Sequence, residues 1–132
     1  MAPISVTLAP RDPPAAVVAL VGEHDTYSAG RLEAELSVLL DEALPVVVDL
    51  RDTEFIDSTT LGALLAARRT AKQSGVGFTF VLPGRNYTEV NQLLDLTGLG
   101  SSFAIFETLD EALTAARRGT SHGGDSQQRK VA

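Results

Sequence analysis

The feature that most constrains the fold is a short apolar run between two segments with helical periodicity. Residues 46–50, VVVDL, are too few for a buried helix and are rich in β-branched side chains, so they predict a central strand buried on both faces. Residues 28–43 before this run and residues 58–74 after it repeat apolar side chains at steps of three and four. This arrangement is typical of an α/β fold.

The two helices have recognisable ends. Ser28 is the predicted N-cap of the first helix, and Pro45 follows its end. Gly75 and Gly77 are predicted to end the second helix. The predicted apolar stripes consist of Leu32, Leu36, Leu39 or Leu40 and Ala43 in the first helix, and of Leu61, Leu64, Ala67 and Ala71 in the second.

The other elements follow from the same patterns. Residues 4–8 and 15–21 predict a hairpin around the proline-rich turn at 9–14, and the polar residues 22–27 predict a loop. Later elements are a strand over 78–82, a turn at Pro83-Gly84, a helix from Tyr87 to Gly98, a strand over 103–106 and a helix over 109–118. The order β-β-α-β-α-β-α-β-α predicts a mixed sheet with helical cover.

Composition narrows the function. The 132 residues, 44% of them hydrophobic, predict a single domain over residues 1–118, and the polar residues 119–132 predict a disordered tail. A net charge of −6 argues against binding to nucleic acid or to an anionic membrane. Cysteine is absent, and neither a targeting segment nor a long apolar run is visible. We therefore expect a soluble, cytoplasmic protein.

The junction between the buried strand and the second helix, EFIDSTTLG at residues 54–62, carries a carboxylate and three hydroxyls. Asp57 and Ser58 are both preferred N-cap residues. Ser58 with His24 and a carboxylate also suggests a serine hydrolase, but the Gly-x-Ser-x-Gly elbow is missing. A third interpretation is phosphorylation of Ser58, because a helix N-terminus stabilises a phosphate.

No metal site or cofactor is predicted. His24 lies between Glu23 and Asp25, but neighbours in sequence rarely converge on one ion. The glycine-rich patterns that hold nucleotide phosphates are absent.

Three motifs, in order, resemble the STAS domains of bacterial anti-sigma factor antagonists. Residues 46–71, VVVDLRDTEFIDSTTLGALLAARRTA, are similar to the family's strand, its Phe-[Ile/Met]-Asp-Ser-[Ser/Thr]-Gly-Leu-Gly motif and its helix. Residues 18–25, VALVGEHD, resemble the strand that ends in Gly-Glu-Leu-Asp. Residues 93–113 resemble the helix that ends in Thr/Ser-Gly-Leu, with the strand and helix that follow it. Together the resemblance covers roughly residues 4–116.

The resemblance implies a fold, a function and a site. The fold is a mixed sheet with helices packed mainly on one face. The function is to bind an anti-sigma factor that is also a serine kinase, and so to release the sigma factor, without enzymatic activity of its own. Phosphorylation of Ser58 ends this binding, and a phosphatase restores it. The implied environment of the phosphosite consists of Asp25, Asp57, Thr59, Thr60 and Gly62.

The sequence departs from the family pattern at two positions. Thr60 stands where the family usually has glycine, and His24 stands where it usually has an apolar residue. Two alternatives therefore stay open. One is a STAS module that senses a small ligand or a lipid, with Ser58 as a cap only, and the other is the hydrolase that uses Ser58 and His24.

Overall fold

The computed structural model describes residues 3–9, 13–82 and 89–121. Its strands are β1 (Ile4–Ala9), β2 (Ala15–Leu20), β3 (Gly22–His24), β4 (Val46–Asp49), β5 (Thr53–Ile56), β6 (Phe78–Val81) and β7 (Ile105–Phe106). Its helices are α1 (Thr26–Asp41), α2 (Ser58–Ser74), α3 (Glu89–Thr97) and α4 (Leu109–Arg117), with a 3₁₀ turn over Leu99–Ser101.

Five strands form one mixed sheet in the order β1-β2-β4-β6-β7. Strand β1 is antiparallel to β2, whereas β2, β4, β6 and β7 are parallel to one another. This confirms the predicted hairpin and the α/β fold with a mixed sheet. The short strands β3 and β5 form a separate parallel pair that the predicted order did not contain.

The valine run forms the central strand β4, as predicted, and all four of its residues are buried. Val46 and Val48 belong to the apolar cluster on one face of the sheet, and Val47 belongs to the cluster on the other face. Burial on both faces explains why this strand is a continuous apolar run and not an alternating pattern.

Three of the four helices in the described residues pack on one face of the sheet. The first cluster contains Leu32 and Leu36 of α1, Leu64 of α2 and Val90 and Leu94 of α3. Helix α4 covers the opposite face through Ala112 and Ala116. The expectation that helices pack mainly on one face is confirmed.

Helix α4 approaches the sheet closely because residue 77 is glycine. A methyl group at Gly77 would overlap the backbone of Ala116. The prediction that Gly77 helps to end α2 is therefore wrong, and Gly75 alone caps this helix, with φ of 71° in the left-handed region.

The start and end of α1 also correct the sequence prediction. Residues 22–27 are not a loop, because Gly22–His24 form β3 and the helix begins at Thr26. The N-cap is Asp25, and Ser28 lies buried in the first turn. Ala43 lies beyond the helix and is exposed, so it is not part of the apolar stripe.

The described chain continues past the predicted domain boundary at residue 118. Phe78 N donates to Thr120 O at 2.8 Å, and Ser121 is buried. Residues 122–132 of the predicted tail lie outside the described residues, as do Tyr87, the Pro83-Gly84 turn and the middle of the 9–14 turn. The tail and the single domain stay predictions.

Candidate functional site

The pairing of β3 with β5 brings two helix N-termini together. His24 lies opposite Ile56 in this pair, and Asp57 N donates to His24 O at 3.1 Å. Each strand leads, after a single aspartate, into a helix: Asp25 into α1 and Asp57 into α2. The two aspartates that the sequence places 32 residues apart are thus neighbours at one edge of the molecule.

Asp57 caps α2 and ties it to α1. Its Oδ1 accepts a hydrogen bond from Thr60 N at 2.9 Å, and its Oδ2 accepts one from Thr26 Oγ1 at 3.2 Å. Partial burial alone raises the pKa of this carboxyl group, but the hydrogen bonds from Thr60 and Thr26 outweigh that effect and leave the pKa below its usual range. Asp57 is therefore ionised at neutral pH and fixed in place.

Thr60, at the position where the family usually has glycine, is fully buried and joins the two helix starts. Its hydroxyl donates to Asp25 O at 3.3 Å. The buried hydroxyl of the larger residue is accommodated because the carbonyl of Asp25 at the N-terminus of α1 accepts its hydrogen bond. Thr59 lies on the exposed side, where its hydroxyl is 3.3 Å from Thr26 Oγ1.

Ser58 differs from both threonines. It is the first residue of α2 and is exposed. Its hydroxyl makes no hydrogen bond to any described residue. Asp57 performs the capping that the sequence left open between Asp57 and Ser58, so the Ser58 hydroxyl is free for chemistry or for contact with a partner.

Asp25 caps α1 through a reciprocal arrangement. Its Oδ1 accepts from Tyr27 N at 3.0 Å, and its backbone N donates to Ser28 Oγ at 3.2 Å. This is a capping box with serine at the third helical position. Asp25 is exposed, and its backbone oxygen is bonded by Thr60 of the first turn of α2.

His24 does not face Ser58. Its ring is fully buried, with Nε2 3.1 Å from Val21 O and Nδ1 3.1 Å from Ser28 Oγ. Burial lowers the pKa of His24, although the bond to Val21 O and the charge of Asp25 act in the opposite direction. Both ring nitrogens are occupied, so the structure does not place His24 as a base for Ser58 and does not favour the hydrolase.

Two residues that the sequence prediction missed lie at this site. Thr26 bonds both Asp57 and Thr59, and Tyr27 is 84% exposed in the first turn of α1. The signal for them was the Asp-x-x-Ser spacing of residues 25–28, which marks a helix start. Gly62 is exposed in the second turn of α2, and a methyl group there would meet nothing within 4 Å.

The surroundings of the site are acidic and open. Glu23, Glu54 and Glu89 line a depression of about 330 Å³ around Phe55. Among the described residues, no group of side chains has the composition and spacing to hold a metal ion. A groove of about 260 Å³ between α1 and α2 is lined by Leu40 and three alanines but also by Glu33 and Asp41, and these two carboxylates disfavour a lipid tail.

Comparison with known proteins agrees with this geometry. The sequence model of the STAS domain matches residues 7–112. The anti-sigma-F factor antagonist RsfB of Mycobacterium tuberculosis is 35% identical over 120 residues, which cover 89% of this chain and 95% of that protein. The chain therefore belongs to the STAS-domain family, and the resemblance read from the three motifs is confirmed.

Solved structures show the same fold. An anti-sigma factor antagonist from Mycobacterium paratuberculosis matches with a TM-score of 0.68 and 31% identity, covering 87% of this chain and 95% of that one. SpoIIAA in its unphosphorylated form matches with a TM-score of 0.65 and 15% identity, covering 89% and 99%. Bacillus SpoIIAA in its phosphorylated form also matches with a TM-score of 0.65, at 18% identity over 85% and 97%. Within the part of the chain that the structure describes, no helix is long and apolar enough to cross a membrane.

Proposed function

We propose that this chain is an anti-sigma factor antagonist that is controlled by phosphorylation of Ser58. In the unphosphorylated state it binds an anti-sigma factor with serine kinase activity and so releases the sigma factor. The observation that carries the proposal is the exposed Ser58 hydroxyl, which has no hydrogen-bond partner among the described residues at the first position of α2. Similarity to named antagonists supplies the class of partner.

Ser58 is the acceptor that the local geometry favours over the two threonines beside it. Thr60 is fully buried and bonded to Asp25 O, so a kinase cannot reach it without opening the helix start. Thr59 is exposed, but its hydroxyl is paired with that of Thr26. Only the Ser58 hydroxyl among the three is both exposed and unpaired within the described chain.

The fold can carry a phosphate at this position. The first residue of a helix lies beside backbone N–H groups without intrahelical partners and at the positive end of the helix dipole. A second helix N-terminus, that of α1, lies next to it, because Thr26 bonds Asp57 and Thr59. Asp57 keeps its capping role in both states, so modification of Ser58 leaves the cap in place.

The same phosphate opposes binding of the kinase. We define the Ser58 surface as the exposed residues Asp25, Tyr27, Ser58, Thr59 and Gly62. A kinase that phosphorylates Ser58 must bring the terminal phosphate of its nucleotide to this hydroxyl. A phosphate already on Ser58 adds volume and a charge of about −1.5 to −2 at that point, and it meets like charge from the nucleotide. The complex therefore loses affinity after the transfer.

The proposal makes the chain a regulator that works by binding and not by catalysis. Its partners are the kinase, which ends its activity, and a phosphatase that removes the phosphate and restores it. The place of action is the cytoplasm, where sigma factors meet RNA polymerase. Asp57 and Thr60 connect the N-termini of α1 and α2 by hydrogen bonds, and the exposed residues of the Ser58 surface contact the kinase.

The test is affinity capture from an extract of the host cell, followed by mass spectrometry. Wild type and Ser58→Ala are expected to retain the same kinase, and Ser58→Asp is expected to lose it. Ser74→Asp is the matched control, since Ser74 is an exposed serine at the other end of the same helix, about 24 Å away at the helical rise per residue. It is expected to bind like wild type.

Two outcomes contradict the proposal. If Ser58→Asp retains the kinase at the wild-type level, a negative charge at Ser58 does not control binding. In the second experiment, the captured kinase and ATP are incubated with wild type and with Ser58→Ala. If Ser58→Ala incorporates as much phosphate as wild type, Ser58 is not the acceptor.

A further inference from the structure

Strand β1 is an edge of the five-stranded sheet and is paired on one side only. Its partner is β2, through the register Ile4↔Leu20 to Ala9↔Ala15, and no strand of the described chain lies on its other side. The opposite edge of the sheet, β7, has two residues, whereas β1 has six. Ile4 is buried, whereas residues 5–8 are exposed, so this edge is available for a further strand over those four residues.

The direction of the backbone groups along β1 follows from one hydrogen bond. Val21 N donates to Pro3 O, which extends the register of the β1–β2 pair and makes this position a hydrogen-bonded pair. Because such pairs alternate in an antiparallel ladder, Ser5 and Thr7 direct their N–H and C=O groups toward β2. The backbone groups of Ile4, Val6 and Leu8 therefore point away from the sheet, and Arg31 Nη2, which donates to Ile4 O at 3.4 Å, reaches that side.

The side chains of β1 do nothing to discourage pairing. The strand reads ISVTLA, without a charged residue or a proline. Val6 is 37% exposed and Leu8 is 58% exposed. Soluble proteins usually protect a long edge with lysine, proline, a bulge or a covering segment, because open backbone groups and apolar side chains invite another strand.

We propose that β1 pairs with β1 of a second copy of this chain, antiparallel about a two-fold axis at Val6. The inference is independent of the function proposed for Ser58. In this register Val6 faces Val6 of the partner subunit, and Ile4 faces Leu8 of the partner subunit. These are the residues whose backbone groups point outward, so the central Val6 pair exchanges two backbone hydrogen bonds. Each Ile4–Leu8 pair does the same when the backbone N of Leu8 of the partner subunit takes the place of Arg31 at Ile4 O.

The side chains of the two strands complement each other in the same register. On one face, Ile4, Val6 and Leu8 form only apolar pairs across the axis. On the other face, Ser5 opposes Thr7 of the partner subunit, and hydroxyl pairs of this kind stabilise antiparallel strands. The chain has a net charge of −6, but β1 has no charged side chain, so the pairing brings no like charges of the two strands together.

We assign a second copy and not an unrelated strand because, in the isologous register about Val6, apolar side chains meet apolar ones and hydroxyls meet hydroxyls. The contact is small, and a weak dimer follows. No residue of the Ser58 surface lies on β1, so each dimer presents two such surfaces.

Sedimentation of the full chain at about 100 µM tests the proposal, a concentration suited to a contact of this size. Wild type is expected to sediment as a dimer that dissociates on dilution. Val6→Lys and Val6→Glu are each expected to be monomeric, because each places like charges opposite each other at the axis. An equimolar mixture of the two is expected to dimerise again, since opposite charges then face each other.

Leu96→Lys is the matched control, because Leu96 is a 78% exposed leucine on α3 and is expected to leave the dimer intact. The rescue by mixing shows that a monomeric variant is folded. If wild type is monomeric at this concentration, the proposal is wrong, and any strand that pairs with β1 belongs to a different protein. A dimer that survives Val6→Lys, or a mixture that stays monomeric, overturns the two-fold register at Val6.

Discussion

At the residue scale, the three hydroxyls of residues 58–60 have three different environments. Thr60 is buried and bonded to Asp25 O, Thr59 is exposed and paired with Thr26, and Ser58 is exposed and unpaired within the described chain. The resemblance implied Ser58 as the phosphoacceptor and placed Thr59 and Thr60 in its environment, but the sequence alone does not show how the three hydroxyls are bonded. Their bonding depends on Asp25 and Thr26, which lie more than 30 residues away and reach the site only through the β3–β5 pair.

Asp57→Ala is expected to lower the free energy of unfolding by about 1 kcal/mol, the usual cost of losing an N-cap. The variant loses the bond from Thr60 N and the link to Thr26. Urea unfolding measures the effect. Asp57→Asn is the control, because asparagine caps as well as aspartate, and a loss as large as that of alanine would show that charge and not capping is what Asp57 contributes.

The burial of His24 predicts a pH dependence of stability. Burial lowers the pKa of His24 in the folded state, so the unfolded chain, with a histidine pKa of about 6.5, binds a proton more readily. The contribution of neutral His24 is therefore complete above about pH 6.5 and decreases as the pH falls toward the lowered folded pKa. His24→Leu removes this dependence.

Urea unfolding of wild type and His24→Leu at about pH 7 and about pH 5 compares the change in stability of two chains that carry the same carboxylates. Wild type is expected to lose more stability than the variant over this interval. Equal losses would mean that His24 is protonated as easily in the folded protein as in the unfolded chain.

At the element scale, local pattern predicted the elements that pack on the large sheet and failed for those that do not. Helix α2 spans Ser58–Ser74 as predicted, because its apolar stripe and Gly75 define it locally. Strands β3 and β5 are three and four residues long and contain polar side chains, and they are stabilised by each other. A pairing between segments about 30 residues apart leaves no periodic signal in either one.

The start of α1 was also predicted wrongly, at Ser28 instead of Thr26. Ser28 and Asp25 are both good capping residues, and the apolar stripe begins nearer to Ser28. The structure uses both, with Asp25 as the cap and Ser28 as its reciprocal partner. Likewise, the sequence does not distinguish Gly77 from a second residue that ends α2. Glycine is needed there because the backbone of Ala116 in α4 lies too close for a side chain.

Gly62 within α2 and Gly75, which caps its C-terminal end, predict opposite effects of substitution by alanine. Gly75→Ala is expected to destabilise the fold by about 1 kcal/mol, because φ at Gly75 is 71° and a Cβ is unfavourable there. Gly62→Ala is expected to stabilise it by about 1 kcal/mol, because this residue is helical and a methyl group meets nothing. Urea unfolding of both variants measures the difference.

Gly62→Ala also probes the Ser58 surface, in which Gly62 lies one turn after Ser58. A methyl group is expected to weaken binding of the kinase even as it stabilises the fold. Unchanged affinity in the stabilised variant would place the contact away from the second turn of α2.

At the scale of the whole molecule, the mixed sheet, the family and the order of all elements except β3 and β5 were predictable, and the role of residues 119–121 was not. Phe78 N bonds Thr120 O, and Thr120 N bonds Ala115 O. Residues 119–121 are polar or small, so their composition predicts that they belong to the tail. In the structure, backbone hydrogen bonds connect them to the first residue of β6 and to the last turn of α4.

Two truncated chains test this boundary. A chain that ends at residue 118 is expected to be less stable than the full chain by roughly 1–2 kcal/mol, because it loses the backbone hydrogen bonds of Thr120. A chain that ends at residue 121 is expected to match the full chain. Thermal unfolding of all three compares them, and a loss of stability in the longer truncation would assign a structural role to residues 122–132.

The most direct measurement of the central claim is the affinity of the anti-sigma factor kinase for the chain before and after phosphorylation. Calorimetric titration of the kinase with unphosphorylated protein, and with protein phosphorylated at Ser58 and confirmed by mass, gives the two dissociation constants. The account predicts that the phosphorylated form binds at least about tenfold more weakly, a loss of about 1.4 kcal/mol. Equal affinity of the two forms would contradict it.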